Sequence, residues 1–352
     1  MNKTRICSLL LALLMLVSLF SFVACQSEPA TNENDPSSGD VADKPDEGEN
    51  SDQTDKPEGT DTPDAGNEGN DEATTPDGEN DSQAETPEVK KTLKVLTLGN
   101  SFSENAHSHL IQIMEAQGME EVVLGNLVKS GCDLATHLSC AQTDYTTYMY
   151  SKFTLGEDRQ VKPKFTVAKA LQDEDWDMVI LQQVSGKSGQ PATYGSTLTS
   201  LMNFCKQYVK PECKFGWHMT WAYQSNSNHA SFANYSRNQM TMYNSIVGAV
   251  QSQIVPNSEF VTIIPAGTAI QNTRTSYIGD TLTADGYHLN SFGSYIIGYS
   301  WYKTLTGDPL TELKYLPDSL NLTEADQAII LESVNNAAAT PFAVTPSQHT
   351  TR

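Results

Sequence analysis

Five short apolar runs mark the second part of the chain: LKVLTLG (93–99), EVVLGNLV (121–128), WDMVILQQ (176–183), KFGWHMTWAY (214–223) and EFVTIIPAG (259–267). Bounded by turn residues, runs of this length read as buried strands. Between them the apolar spacing changes to about one residue per helical turn. Across 104–117 the residues Ala106, Leu110, Ile113, Met114 and Gln117 share a face, and Gly118 ends the pattern. Residues 196–209 and 233–254 look helical too. A last helix from Ser291 sets Phe292, Tyr295, Ile296, Tyr299 and Tyr302 on one side and stops at Gly307 and Pro309. Strand, helix, strand in repetition predicts an α/β domain with a central parallel sheet of five strands covered on both faces. Residues 140–165 fit no such pattern and read as a loop or a small hairpin inserted between strands. The stretch 341–352 is polar and is expected to fray.

The pattern breaks down before residue 91. Met1 to Cys25 reads as an export signal: Lys3 and Arg5 lead, an apolar core runs from Ile6 to Val23, and Ala24 precedes Cys25. FVAC is similar to the processing site of bacterial lipoproteins, with Phe22 where Leu is usual. That resemblance implies cleavage before Cys25 and acylation of its sulfur, two or three chains being needed for lasting membrane attachment. Residues 26–90 hold 21 Asp or Glu against three Lys and no Phe, Trp or Tyr. Such a segment buries too little apolar surface to offset the entropy of ordering, so it reads as an acidic disordered tether. It carries most of the net charge of −21, which leaves the domain from residue 91 to 340 only mildly acidic. That balance offers no electrostatic footprint for nucleic acid.

Export also bears on the cysteines. With Cys7 in the signal and Cys25 lipidated, Cys132, Cys140, Cys205 and Cys213 remain, and an oxidising compartment predicts one or two disulfides in any of three full pairings. Their spacing does not suit a structural zinc site, and no metal or cofactor is expected.

In an open parallel sheet, ligands gather beyond the carboxyl ends of the strands. Ser101 stands there, just past the first strand and at the start of a helix. It reads either as an N-cap or, if Ser103 caps instead, as a hydroxyl free at the positive end of a helix dipole. A serine nucleophile needs a base, and the base an orienting acid. Of seven histidines, His107 and His109 point to different sides of their helix, His218 is inside a strand, His229 is in a polar loop and His349 is in the tail. His288 differs: Asp285 precedes it by three residues in the loop before the last helix, a spacing that lets a carboxylate hold one ring nitrogen while the other faces outward. His137 reads as a structural histidine. Trp217, Trp221 and Tyr223 read as core residues or as a platform for sugar rings. SGKSG (185–189) lacks the upstream glycine of a phosphate loop.

Gly99-Asn100-Ser101 after the first strand, Gly131 after the second and Asp285-Gly-Tyr-His288 before the last helix resemble three of the four signature blocks of SGNH hydrolases, the GDSL-type esterases and lipases. The phrases LGNSFSENA, SGCDL, VILQQVS, TWAY, PAGTAIQNTR and DGYHLN are similar to those of an SGNH branch of exported bacterial proteins, over residues 93–306. The resemblance implies a flavodoxin-like three-layer α/β/α fold. It also implies Ser101 as nucleophile, His288 as general base, Asp285 as its partner, and an oxyanion hole from the backbone N–H groups of Ser101 and Gly131. The family's third donor, an Asn side chain, is missing. LQQ stands there, so Gln183 or Gln182 is expected to donate instead, Gln183 being preferred.

These readings lead to an extracytoplasmic serine esterase, anchored to the cell membrane by lipid alone. It would remove a small acyl group such as acetyl from a small molecule, a polysaccharide or a cell-wall ester. A glycan-binding module without catalysis and an O-acyltransferase are the alternatives.

Overall fold

A computed structural model describes residues 91–351. The export signal, Cys25 and the acidic stretch 26–90 lie outside the described residues. The sheet has seven strands rather than five: β1 (Thr92–Gly99), β2 (Glu121–Val128), β3 (Tyr148–Thr154), β4 (Gln160–Phe165), β5 (Met178–Leu181), β6 (Lys214–His218) and β7 (Phe260–Ile264), in the order β4-β3-β2-β1-β5-β6-β7. The five expected strands are all present and mutually parallel. Taken alone they follow the flavodoxin-like order 2-1-3-4-5, with its switch point beside β1.

The extra pair, β3 and β4, is an antiparallel hairpin on the β2 edge, the second of the two readings, loop or small hairpin, that residues 140–165 allowed. Its outer strand QVKPKF has no buried residue, and Pro163 sits on it because an edge strand tolerates a missing donor. A buried-strand pattern could not have revealed it.

Nine α-helices cover the sheet among the described residues: α1 (Ser101–His107), α2 (Leu110–Ala116), α3 (Leu134–Gln142), α4 (Val167–Leu171), α5 (Gly195–Cys205), α6 (Gln239–Gln253), α7 (Ala266–Arg274), α8 (Ser291–Thr306) and α9 (Glu324–Ala339). In one layer α8 packs against α1, α2, α7 and α9, while α3 packs against α4 and α5 in the other. This is the three-layer α/β/α arrangement. The helix expected over 104–117 is two helices, broken at Ser108 and His109. His107 turns inward to Thr97 Oγ1 on β1 (2.9 Å), and His109 turns to Ser291 Oγ on α8 (3.1 Å).

The chain end also differs from expectation. α9 opens with a capping box between Thr323 and Asp326 and buries Ile329, Ile330, Val334 and Ala337. The polar stretch beyond it is held down rather than frayed: Thr345 N donates to Asn272 Oδ1 (2.8 Å), Ser347 N to Thr275 Oγ1 (2.7 Å) and Tyr277 N to the His349 carbonyl (2.9 Å).

Cys132, Cys140, Cys205 and Cys213 are free and buried, so the expected disulfides are not formed. Cys132 Sγ faces the Asp133 carbonyl (3.7 Å) and the Tyr148 hydroxyl (4.0 Å). Burial pushes the Cys132 and Cys205 thiols up to about 12 and that of Cys213 up to about 11. Thiolate is the reactive form, so iodoacetamide at pH 8 should leave these three unmodified in folded protein and alkylate them in denaturant. Peptide mapping that finds them alkylated in the native state would contradict this burial.

Candidate active site

Parallel register aligns the strand ends: Gly99 pairs with Val128, Leu98 with Leu181, and Leu181 with Trp217. The segments after β1, β2 and β5 therefore open at one edge of the sheet. Asn100, not Ser101 or Ser103, is the N-cap of α1: its backbone is extended and its Oδ1 accepts from Phe102 N at 3.0 Å. Ser103 turns inward instead, its Oγ 2.8 Å from Asn126 Oδ1. A Cβ on Gly99 would sit 2.2 Å from that same Oγ, so the turn into α1 requires glycine there. With the cap supplied by Asn100, the Ser101 hydroxyl is free to face outward.

It meets His288. Ser101 Oγ lies 2.7 Å from His288 Nε2 across 187 residues of sequence, and His288 Nδ1 lies 2.7 Å from Asp285 Oδ2. The other carboxylate oxygen accepts from the backbone N–H of Tyr287 (3.1 Å) and of His288 (2.8 Å), so the Asp-x-x-His turn locks itself. Burial opposes ionisation of Asp285, but the His288 ring and the two N–H donors together outweigh it and hold the carboxyl below its ordinary value. An ionised Asp285 favours the tautomer with the proton on Nδ1, leaving Nε2 to accept from Ser101.

Two side chains support the pair: Asn105, which the sequence did not mark, and Trp221, which it marked only as core or as a sugar platform. Asn105, one turn along α1 from Ser101, accepts from Leu289 N (3.2 Å) and donates to Leu289 O (3.1 Å) and Ser294 Oγ (3.1 Å). One short helix thus holds both the serine and the loop that carries its histidine. Trp221 stacks on Phe102 with centroids 4.2 Å apart and donates to Tyr287 O at 2.8 Å. Nothing in the local pattern marks Asn105, because its partners are 184 and 189 residues away.

A cavity of about 480 Å³ opens over Ser101, lined in part by Gly131, Lys187, Gln190, His229, Asn234 and Tyr287. Gly131 adopts φ +63°, and no described carbonyl or side chain takes its N–H. Ser101 opens α1, so its N–H has no carbonyl one turn behind it. Gln182 and Gln183, the expected side-chain donors, do not line the cavity, and both are buried. Gln183 Nε2 donates to Thr193 O (3.2 Å) and Oγ1 (3.0 Å), which takes both its hydrogens, while Gln182 Nε2 donates to Asn100 Oδ1 (2.7 Å). Both amides leave the end of β5 into the protein interior, where partners were waiting for them. Ser185, Gly186 and Lys187 of SGKSG line the cavity, and Lys187 pairs with Asp133, the cap of α3. Despite burial, Lys187 and Thr136 hold the Asp133 carboxyl down at about 2.

The other histidines divide between rim and core. His229 lies against Tyr287 (centroids 4.6 Å), and burial beside His288 lowers its pKa. Trp217, Trp221 and Tyr223 are core, and none lines the cavity. His137 bonds Tyr148 OH at 2.9 Å, and His218 bonds Gln182 Oε1 at 3.0 Å. Burial lowers His107 and His218 to about 3 and His137 to about 4. One ring nitrogen of each has no partner among the described residues, so charging the ring would strand a buried N–H.

The sign of the linkage follows. Below pH 6.5 the unfolded chain binds protons on these three rings and the folded chain does not, so stability is full above pH 6.5 and falls as pH drops toward 4. Each ring contributes up to about 1.4 kcal/mol per pH unit in that window. Urea midpoints should fall between pH 6.5 and 5, above the range where most carboxylates titrate. A midpoint that stays flat there would show that the three rings are not buried as neutral groups.

Comparison with known proteins places this architecture. Residues 94–335 match the model of a family described as Domain of unknown function (DUF4886). The chain belongs to this family. A DUF4886 family protein from Bacteroides uniformis, known from a crystal structure, is 38% identical over 72% of this chain and 97% of its own, with a TM-score of 0.69. A candidate SGNH hydrolase from Slackia heliotrinireducens is 20% identical over 61% of this chain and 99% of its own (TM-score 0.40). A carbohydrate esterase family 3 protein from Talaromyces cellulolyticus is 16% identical over 60% and 95% (TM-score 0.37). At these scores the last two bear no weight. No curated protein matches the chain significantly. The SGNH-like fold of this DUF4886 member rests on its strand order and on the positions of its three blocks around one cavity.

Proposed function

We propose that this DUF4886 protein is a serine esterase, with Ser101 as nucleophile, His288 as general base and Asp285 as the group that orients it. One observation carries the reading: the unbroken run Ser101 Oγ, His288 Nε2, His288 Nδ1, Asp285 Oδ2, with both contacts at 2.7 Å. His288 takes the Ser101 proton as Oγ attacks the ester carbonyl, and returns it to the leaving alcohol. Water, deprotonated by the same ring, then releases the acyl group as the acid. The N–H groups of Ser101 and Gly131 receive the oxyanion. A polar cavity with a His229–Tyr287 wall and Gln190 and Asn234 on its rim supports a hydroxyl-rich leaving group, such as a sugar bearing a small acyl ester.

The purified protein would be offered p-nitrophenyl acetate and acetylated xylan. Release of p-nitrophenol and acetate is expected. Glycan binding without any turnover would favour a binding module, a reading that the inward-turned glutamines favour. Acyl transfer to an added sugar in preference to water would favour the acyltransferase.

The reading includes export and a lipid anchor at Cys25. Radiolabelled palmitate fed to cells making the protein should enter it and fractionate with the membrane, and Cys25→Ser should abolish the label. A labelled Cys25→Ser protein would rule that anchor out.

A further inference from the structure

Asn100, Gln182 and His218 form a buried chain beneath the site. All three are at most 1% exposed. The donors in this chain are fixed by one backbone group. Phe102 N–H donates to Asn100 Oδ1 at 3.0 Å, so that atom is the amide oxygen. Gln182, 2.7 Å from the same oxygen, must therefore present Nε2, which leaves its Oε1 to accept from His218 Nδ1 at 3.0 Å. The other end of the Asn100 amide donates to the Cys132 carbonyl at 3.0 Å. Asn100 thus ties the turn that carries Ser101 to the loop that carries Gly131, and Gln182 and His218 hold the plane of its amide.

We infer that Gln182 and His218 are positioning residues: through Asn100 they keep the N–H groups of Ser101 and Gly131 at the separation that the oxyanion requires. The inference rests on the esterase reading. Oxyanion donors act at about 2.7–3.1 Å, and their strength falls quickly with small displacements. Gln182 itself never touches substrate, since it does not line the cavity. Its replacement should therefore alter turnover and leave substrate binding as it was. A role confined to stability gives a different result: fewer folded molecules, each turning over at the full rate.

The test compares wild type, Gln182→Met and Asn100→Asp on p-nitrophenyl acetate, with functional sites counted by a fluorophosphonate. Methionine keeps the length of the side chain and removes the donor to Asn100. Aspartate keeps the acceptor for Phe102 N and Gln182 Nε2 and removes the donor to Cys132 O. In both variants kcat per counted site should fall by about 10–100-fold, the scale of a displacement of about an ångström or less. KM should stay within about twofold, the signature of an interaction made only in the transition state. An unchanged kcat per counted site with a lowered Tm would make the chain purely structural and overturn the inference. Asn100→Asp decides alone if Gln182→Met does not fold. The two readings fail differently: wild type without Ser101-dependent turnover overturns the esterase, whereas active wild type with unimpaired variants overturns only the positioning role.

Discussion

Ser101→Ala should lower kcat for ester hydrolysis by about 10⁴–10⁶-fold, the range seen when a hydrolase loses its nucleophile. The substitution removes the hydroxyl that lies 2.7 Å from His288 Nε2 and leaves the cap of α1 intact because Asn100 supplies it. Stability should therefore change little, and a thermal melt beside the assay separates lost chemistry from lost fold. Residual turnover is expected from the backbone N–H groups alone, which the substitution does not touch. A Ser101→Ala protein that keeps the wild-type rate would remove this serine from the mechanism.

Asp285→Asn should cost about 10⁴-fold in kcat. The neutral amide can still present its oxygen to the N–H groups of Tyr287 and His288, so the turn is retained. Facing Nδ1, however, the Asn NH2 favours the tautomer that carries its proton on Nε2, and Ser101 then meets a donor where it needs an acceptor. Asp285 is held below its ordinary carboxyl value, so in wild type it stays charged at neutral pH and adds no step to the pH–rate profile there. A loss of less than about tenfold would mean that His288 does not depend on this carboxylate.

The parallel half of the fold was legible from its apolar runs: β1 and β2 each carry five successive buried residues at their carboxyl ends, and the edge strand β7, in which only Ile264 is buried, still shows the run FVTII. The same logic is weaker where burial is partial. β4 has no buried residue and no apolar run, so the hairpin was only one of two readings for its segment, and α9 carries its buried residues on one face of a mixed sequence. In the site, the resemblance pointed to Ser101, Gly131, Asp285 and His288, and the fold brings Ser101 Oγ, the His288 ring and Asp285 Oδ2 into one run of contacts. Gln182 and Gln183 could not be placed from sequence. Which way an amide turns beyond the end of a strand depends on what the interior offers, here Asn100, His218 and Thr193, and local sequence does not record it. Asn105 was invisible for the same reason, its partners being on the far side of the fold.

The central claim is that Ser101 is an activated serine. Its most direct test is to incubate the full-length protein with a fluorophosphonate and map the adduct by peptide mass spectrometry. One adduct on the peptide containing Ser101, abolished in Ser101→Ala and strongly slowed in His288→Ala, is the expected result. No adduct, or the same adduct in Ser101→Ala, would contradict it.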